Sequence, residues 1–191
     1  MKDAIREGLE EHRRVAESLA AAMAESIERA AGMILDTYRR GGKVLIMGNG
    51  GSAADAQHFA AELVGRYRRE RRALPAIALT TDTSILTSVS NDYGYADVFK
   101  RQVEAHAGPG DLVVGISTSG NSENVLRALA AARARGAAVI VMGGGDGGKM
   151  AALADLALLA PTTATPRIQE AHITAIHVLC DVVEAELAAG A

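Results

Sequence analysis

Leu112-Val113-Val114-Gly115-Ile116-Ser117-Thr118-Ser119-Gly120-Asn121-Ser122 is the stretch on which the fold turns. Its first five residues are a short continuous apolar run, the pattern of a strand buried on both faces. A hydroxyl-rich loop follows, and a helical stretch opens near Glu123. The same succession recurs on either side. Lys43–Met47 reads as a strand, then a helix from about Ala53 to Tyr67, then a strand at Ala76–Leu79. Thr83–Val89 and Ala96–Ala107 read as helices. Beyond the central strand come a helix from Ser122 to Arg135, strands at Ala138–Met142 and Leu156–Leu159, and a last helix from Arg167 to Leu187. Upstream, Ile5, Leu9, Val15, Leu19, Met23, Ile27, Ile34 and Tyr38 recur at helical spacing over residues 3–39. Gly32 is a weak point in that run, and Gly41-Gly42 end it. Strands alternating with helices predict an α/β fold: one domain over 1–191, with a five-stranded, mostly parallel sheet flanked by helices and a helical extension over 1–40. Such sheets bind ligands beyond the carboxyl ends of their strands, near a topological switch point. That points to the loops after the first and third strands.

The bulk properties agree with one domain carrying a helical extension. The chain has 191 residues, 49% hydrophobic but only 3% aromatic with no Trp, so its core is built from Ala, Leu, Val and Ile. A formal net charge of −3 argues against a nucleic-acid partner. Cys180 is the one cysteine, which excludes a disulfide within the chain and fits a reducing compartment. Met1 to Glu11 is charged and lacks the apolar run of a signal peptide, and no apolar stretch reaches membrane-spanning length. The expectation is a cytoplasmic protein without a membrane partner.

Ser117, Thr118, Ser119 and Ser122 supply four hydroxyls within six residues. Gly120 permits a tight turn, and the next helix adds free N–H groups and a positive dipole end, an anion site that needs no lysine. Ordinary capping of a helix would favour the same residue types. Gly48-Asn49-Gly50-Gly51-Ser52 occupies the equivalent place after the first strand. It lacks the lysine of a nucleotide P-loop, and no acidic residue clearly ends a second strand to hold a ribose. Gly143-Gly144-Gly145-Asp146-Gly147-Gly148 reads as a further strand-to-helix turn.

His58 and Glu62, four apart, share a helix face and suit a metal or acid–base work, though a surface pair looks the same. The last helix carries Gln169, His172 and His177. The two histidines are five apart and point to roughly opposite sides, so one at most faces a given site. Gln169 and His177 lie about 12 Å apart along a helix axis, and spacing does not choose between His172 and His177. Arg66-Tyr67-Arg68-Arg69-Glu70-Arg71-Arg72 is the densest basic run. A solvated helix end is favoured over a subunit contact, a phosphate contact by Arg66 or a nucleic-acid patch.

Together with Asp55–Leu63, Ser90-Asn91-Asp92-Tyr93-Gly94, Asp146–Met150 and Arg167–Glu170, these loops resemble the phosphoheptose isomerases of the sugar isomerase (SIS) fold over nearly the whole chain. The resemblance implies conversion of D-sedoheptulose 7-phosphate to D-glycero-D-manno-heptose 7-phosphate, a step toward the heptose of lipopolysaccharide. It implies a homotetramer with active sites at subunit interfaces, residues 1–40 serving oligomer packing. It also implies one zinc ion per subunit on His58, Glu62, Gln169 and His177, which favours His177 over His172. Glu62 would be the base and His177 the acid. Ser117, Thr118, Ser119 and Ser122 would hold the phosphate, while Asn49, Gly50, Gly51, Ser52, Asn91, Asp92, Glu62 and Gln169 would line the sugar. Thr165-Pro166 departs from the Ala-Asp of some relatives, and Pro supplies no side-chain carboxylate for a sugar contact there. Rival readings are a non-catalytic SIS protein of the DnaA initiator-associating type, which typically lacks the Glu and second His, and a sensor or isomerase for another phosphosugar.

Overall fold

In the computed structural model, which describes residues 1–189, the apolar runs form β1 (Val44–Gly48), β2 (Ala76–Ala78), β3 (Leu112–Ile116), β4 (Ala138–Gly144) and β5 (Leu156–Ala160). The last two residues of the domain expected over 1–191 lie outside the described residues. The strand order is β2-β1-β3-β4-β5, and every neighbouring pair is parallel. Side chains alternate between two cores. Val44, Ile46, Leu112 and Val114 face α1 (Lys2–Arg39), α2 (Gly51–Val64) and α7 (Thr165–Ala189). Leu45, Met47, Val113 and Val139 face α4 (Val98–His106), α5 (Glu123–Ala134) and α6 (Gly148–Ala151). Helices cover both faces of β1, β3 and β4, which is why those strands read as unbroken apolar runs.

β1 and β3 are neighbours, but the chain leaves β1 toward β2 and β3 toward β4. The switch point therefore falls between them, where parallel sheets open a crevice. Register pairs Gly48 with Ile116, so Asn49 and Ser117 emerge side by side. The two loops chosen from the sequence share one end of the sheet for this reason.

Several boundaries differ from the sequence reading. The stretch read as helical over 3–39 is one unbroken helix, and Gly32 lies within it without breaking it. No residue before Met23 is buried, so its first half leaves Ile5 and Leu9 exposed. α3 runs over Thr83–Tyr93 and stops at Gly94, whose φ of 91° suits glycine. A short 3-10 turn, Tyr95–Asp97, separates it from α4. α2 ends at Val64, before the expected Tyr67. Its final carbonyls, on Glu62, Leu63 and Gly65, accept from the Arg71 guanidinium. The N–H groups of Tyr67, Arg68 and Arg69 donate to the Glu184 carboxylate instead of continuing the helix. The basic run is thus not simply solvated: the Arg71 side chain is only 6% exposed. Among the described residues no helix is long and apolar enough to cross a membrane.

Candidate functional site

The serine loop crosses from β3 to α5 through Gly120, at φ +65°. Ser117 Oγ and Ser122 Oγ lie 3.0 Å apart. Ser122 occupies the N-cap of α5 yet makes no side-chain cap bond, so ordinary capping does not account for its hydroxyl. Among the described residues, the backbone N–H groups of Thr118, Ser119, Glu123 and Asn124 find no acceptor. Unsatisfied donors at a helix N-terminus, with hydroxyls beside them, favour an anion. The glycine cluster after β4 forms the expected turn into α6 and also buttresses this loop. Met150 N–H donates to Gly120 O, and Lys149 N–H to Asn121 Oδ1 at 3.2 Å.

Asn49 and Asn124 bond reciprocally, amide to amide, at 2.9 Å in each direction. Tyr95 Oη donates to Asn49 Oδ1 at 3.3 Å. Most of the Asn49 side chain is therefore engaged within the protein and ties the glycine loop to α5. Gly50 and Gly51 are exposed beside it, while Ser52 is buried. Gln169, from the first turns of α7, turns its amide toward Gly51. A Cβ at Gly51 would stand 2.4 Å from Gln169 Nε2. Asp55, His58, Pro166, Gln169 and Glu170 line an open cleft of about 370 Å³.

Two turns along α2, His58 Nε2 lies 3.0 Å from Glu62 Oε1 and 3.5 Å from His177 Nε2. Ligand atoms of all three residues fall within 4.8 Å of one another. Two imidazole nitrogens and a carboxylate oxygen converging from two helices fit a divalent cation of zinc's ligand preferences. Gln169 reaches the same cleft nearer the start of α2. Asp55, one turn before His58, has an Oδ2 with no partner. Burial pushes its carboxyl up to about 6, with His58 opposing. Tyr67 stacks on His177, ring centroids 5.6 Å apart and planes 21° apart.

The choice that spacing left open is visible in burial. His172 is fully buried under the sheet, its Nε2–H donating to Gly143 O at 3.1 Å. Burial lowers its pKa, against the opposing bond to Gly143. His177, on the other side of α7, meets His58. Asn91 and Asp92 end α3, exposed and bonded to each other at 2.8 Å. Among the described residues they make no bond to the glycine loop, whereas the nearby Tyr95 does so through Asn49. Asn124, Tyr95, Tyr67 and Asp55 had no separate place in the sequence reading. Asp55 carried a signal, its i, i+3 spacing to His58. The others touch the site only through contacts distant in the chain.

The SIS domain family model matches residues 9–144. The phosphoheptose isomerase of Geobacter sp. (strain M21) is 57% identical over 187 residues, 98% of this chain and 97% of the relative. The structure of phosphoheptose isomerase from Neisseria gonorrhoeae superposes with a TM-score of 0.91 at 45% identity, covering 96% of this chain and 98% of that one. The phosphoheptose isomerase structure from Francisella tularensis gives 0.93 at 37% identity, covering 96% and 97%.

Proposed function

The chain belongs to the SIS-domain family and, within it, to the phosphoheptose isomerases, and from that premise we propose that it converts D-sedoheptulose 7-phosphate to D-glycero-D-manno-heptose 7-phosphate. The observation that carries the reading is the convergence of His58, Glu62 and His177, with His58 also lining the cleft that holds Gln169 beside Gly51. Ser117, Thr118, Ser119, Ser122 and the free N–H groups of α5 hold the phosphate. Gly50 and Gly51 offer backbone to the sugar, with Ser52 behind them and the remaining Asn49 N–H beside them. Asn91 and Asp92 complete the sugar contacts.

The reaction moves one hydrogen between adjacent carbons and leaves the formula unchanged. Glu62 removes a proton from C1 of the ketose, giving an enediol. His177 supplies a proton to the C2 oxygen and accepts one from the C1 oxygen. Return of the proton to C2 completes the aldose. A zinc ion held by His58, Glu62, Gln169 and His177, one per subunit, would polarise the carbonyl and stabilise negative charge on its oxygen. Gln169 is assigned both to this set and to the sugar, because it meets Gly51 and lines the cleft with His58.

A cytoplasmic homotetramer with interfacial sites belongs to the same proposal. Support for association is an apolar groove of about 580 Å³ between α1 and α7, lined by Leu19, Met23, Ile27, Ala175, Val178 and Val182. An exposed apolar surface of this kind suits a protein partner. The heptose product then feeds lipopolysaccharide or a related glycan.

Incubation with D-sedoheptulose 7-phosphate tests the reading. We expect heptose 7-phosphate to form, to be lost after chelation and to return with zinc, while the mass in solution is that of four chains. No product under zinc-replete conditions, or product from a fructose phosphate alone, overturns it. Gly51→Ala probes Gln169 separately. The new methyl displaces a flexible amide rather than backbone, so stability should hold while KM rises roughly fivefold to tenfold, the loss of one hydrogen bond. Steady-state kinetics and a melting curve check both halves.

A further inference from the structure

Glu184 lies on α7 two turns beyond His177, on the same helix face. It is 1% exposed, an expensive place for a carboxylate unless its charge is met. Three consecutive backbone N–H groups meet it: Tyr67 at 2.9 Å, Arg68 at 2.7 Å and Arg69 at 2.6 Å. Arg71 Nε stands 3.3 Å away, close enough for an ion pair. Burial alone would raise the Glu184 pKa, but these N–H bonds and Arg71 together hold it below the usual carboxylate range.

The loop gathered in this way touches the residues of the His58, Glu62 and His177 cluster at two points. Tyr67 lies along the His177 ring, and His177 in turn meets His58 edge-on at 5.1 Å. Arg71, whose guanidinium also faces Glu184, donates to Glu62 O at 2.7 Å and Leu63 O at 2.9 Å. One buried carboxylate on α7 therefore holds the loop that meets both His177 and the end of α2.

We propose that Glu184 is a positioning residue of the isomerase site: by folding the basic loop it sets Tyr67 against His177 and Arg71 against the end of α2, so fixing the His177 ring and the Glu62 backbone. This rests on the reading of His177 and Glu62 as the proton carriers. Tyr67 acts through its ring, and its hydroxyl plays no part.

The test compares Glu184→Gln, Tyr67→Leu and Tyr67→Phe with Glu70→Gln, the same chemical change at an exposed position in the same loop. Histidine-ring NMR on chelated protein reads the geometry without metal or substrate, His177 being assigned through His177→Gln. A ring stacked on Tyr67 gives upfield-shifted His177 protons. The shift should vanish in Glu184→Gln and Tyr67→Leu and persist in Tyr67→Phe and Glu70→Gln. In zinc-loaded enzyme the first two should lose between about tenfold and 10²-fold in kcat, the scale of a misplaced catalytic group, with KM within about twofold. Tyr67→Phe should restore both readouts. If Glu184→Gln does not fold, Tyr67→Leu against Tyr67→Phe decides the point. An unchanged His177 shift with unchanged kcat, or a rise in KM alone, overturns the proposal. Inactivity of the parent toward D-sedoheptulose 7-phosphate would overturn the functional reading, and the NMR arm would still judge the geometry.

Discussion

Glu62→Gln should reduce kcat by roughly 10²–10⁴-fold, the contribution of a positioned general base, and leave the fold intact. Gln keeps the side chain's shape and an oxygen that can accept from His58, so what disappears is the capacity to take a proton. The structural bonds at this position survive, because Arg71 binds the Glu62 backbone carbonyl rather than its carboxylate. Initial rates should be paired with proton exchange: in deuterated water the parent should exchange the C1 hydrogen of the ketose, and the variant should not. Zinc content must be measured alongside, because Glu62 is assigned as both ligand and base, and a ligated carboxylate is a weaker base. Loss of exchange with metal retained isolates the base role. Turnover within tenfold of the parent would remove Glu62 from that role.

Gly120→Ala should be the most damaging single methyl in the serine loop. At φ +65° a Cβ would stand 1.9 Å from Gly147 O and 2.4 Å from its carbonyl carbon, and neither backbone atom can turn aside as a side chain does. The left-handed conformation costs about 1–2 kcal/mol for a residue with a Cβ, and overpacking about 1–3 kcal/mol more. The glycine turn and serine loop must separate, carrying Ser119 and the α5 N–H groups out of register with the phosphate. We expect a lower melting temperature and a KM raised by at least about tenfold, equivalent to 1.4 kcal/mol. Gly136→Ala is the matched control. Its φ is +75°, but its Cβ would meet only the Pro109 ring, Cγ at 3.4 Å and Cβ at 3.9 Å. It should lose stability alone. A Gly120→Ala enzyme with parental KM would show that the loop does not hold the phosphate in the proposed way.

The two loops could be read from the sequence because their chemistry is local. A buried strand, a glycine or serine turn and a helix start are contiguous, and parallel topology brings such turns to one end of a sheet. His58 and Glu62 were readable for the same reason, one helix face being set by a spacing of four. Spacing could not separate His172 from His177, since that depends on which neighbour each side of α7 packs against. Gly143 takes one, and His58 with Tyr67 takes the other. The basic run misled because its charges suggest solvent, whereas the carboxylate that buries Arg71 lies more than a hundred residues away at Glu184.

By itself the sequence determined the α/β class, the five strands and the donor-rich loop Ser117–Ser122, because strand burial, helix periodicity and turn chemistry act between near neighbours. Tertiary structure alone decided the rest. Strand order put the serine and glycine loops side by side, and the Asn49–Asn124 amide pair joined them. Packing of α7 against α2 brought His177 to His58 and Glu62. Those contacts connect segments some 75 to 119 residues apart, and no local propensity records which distant partner will fill a buried donor's need.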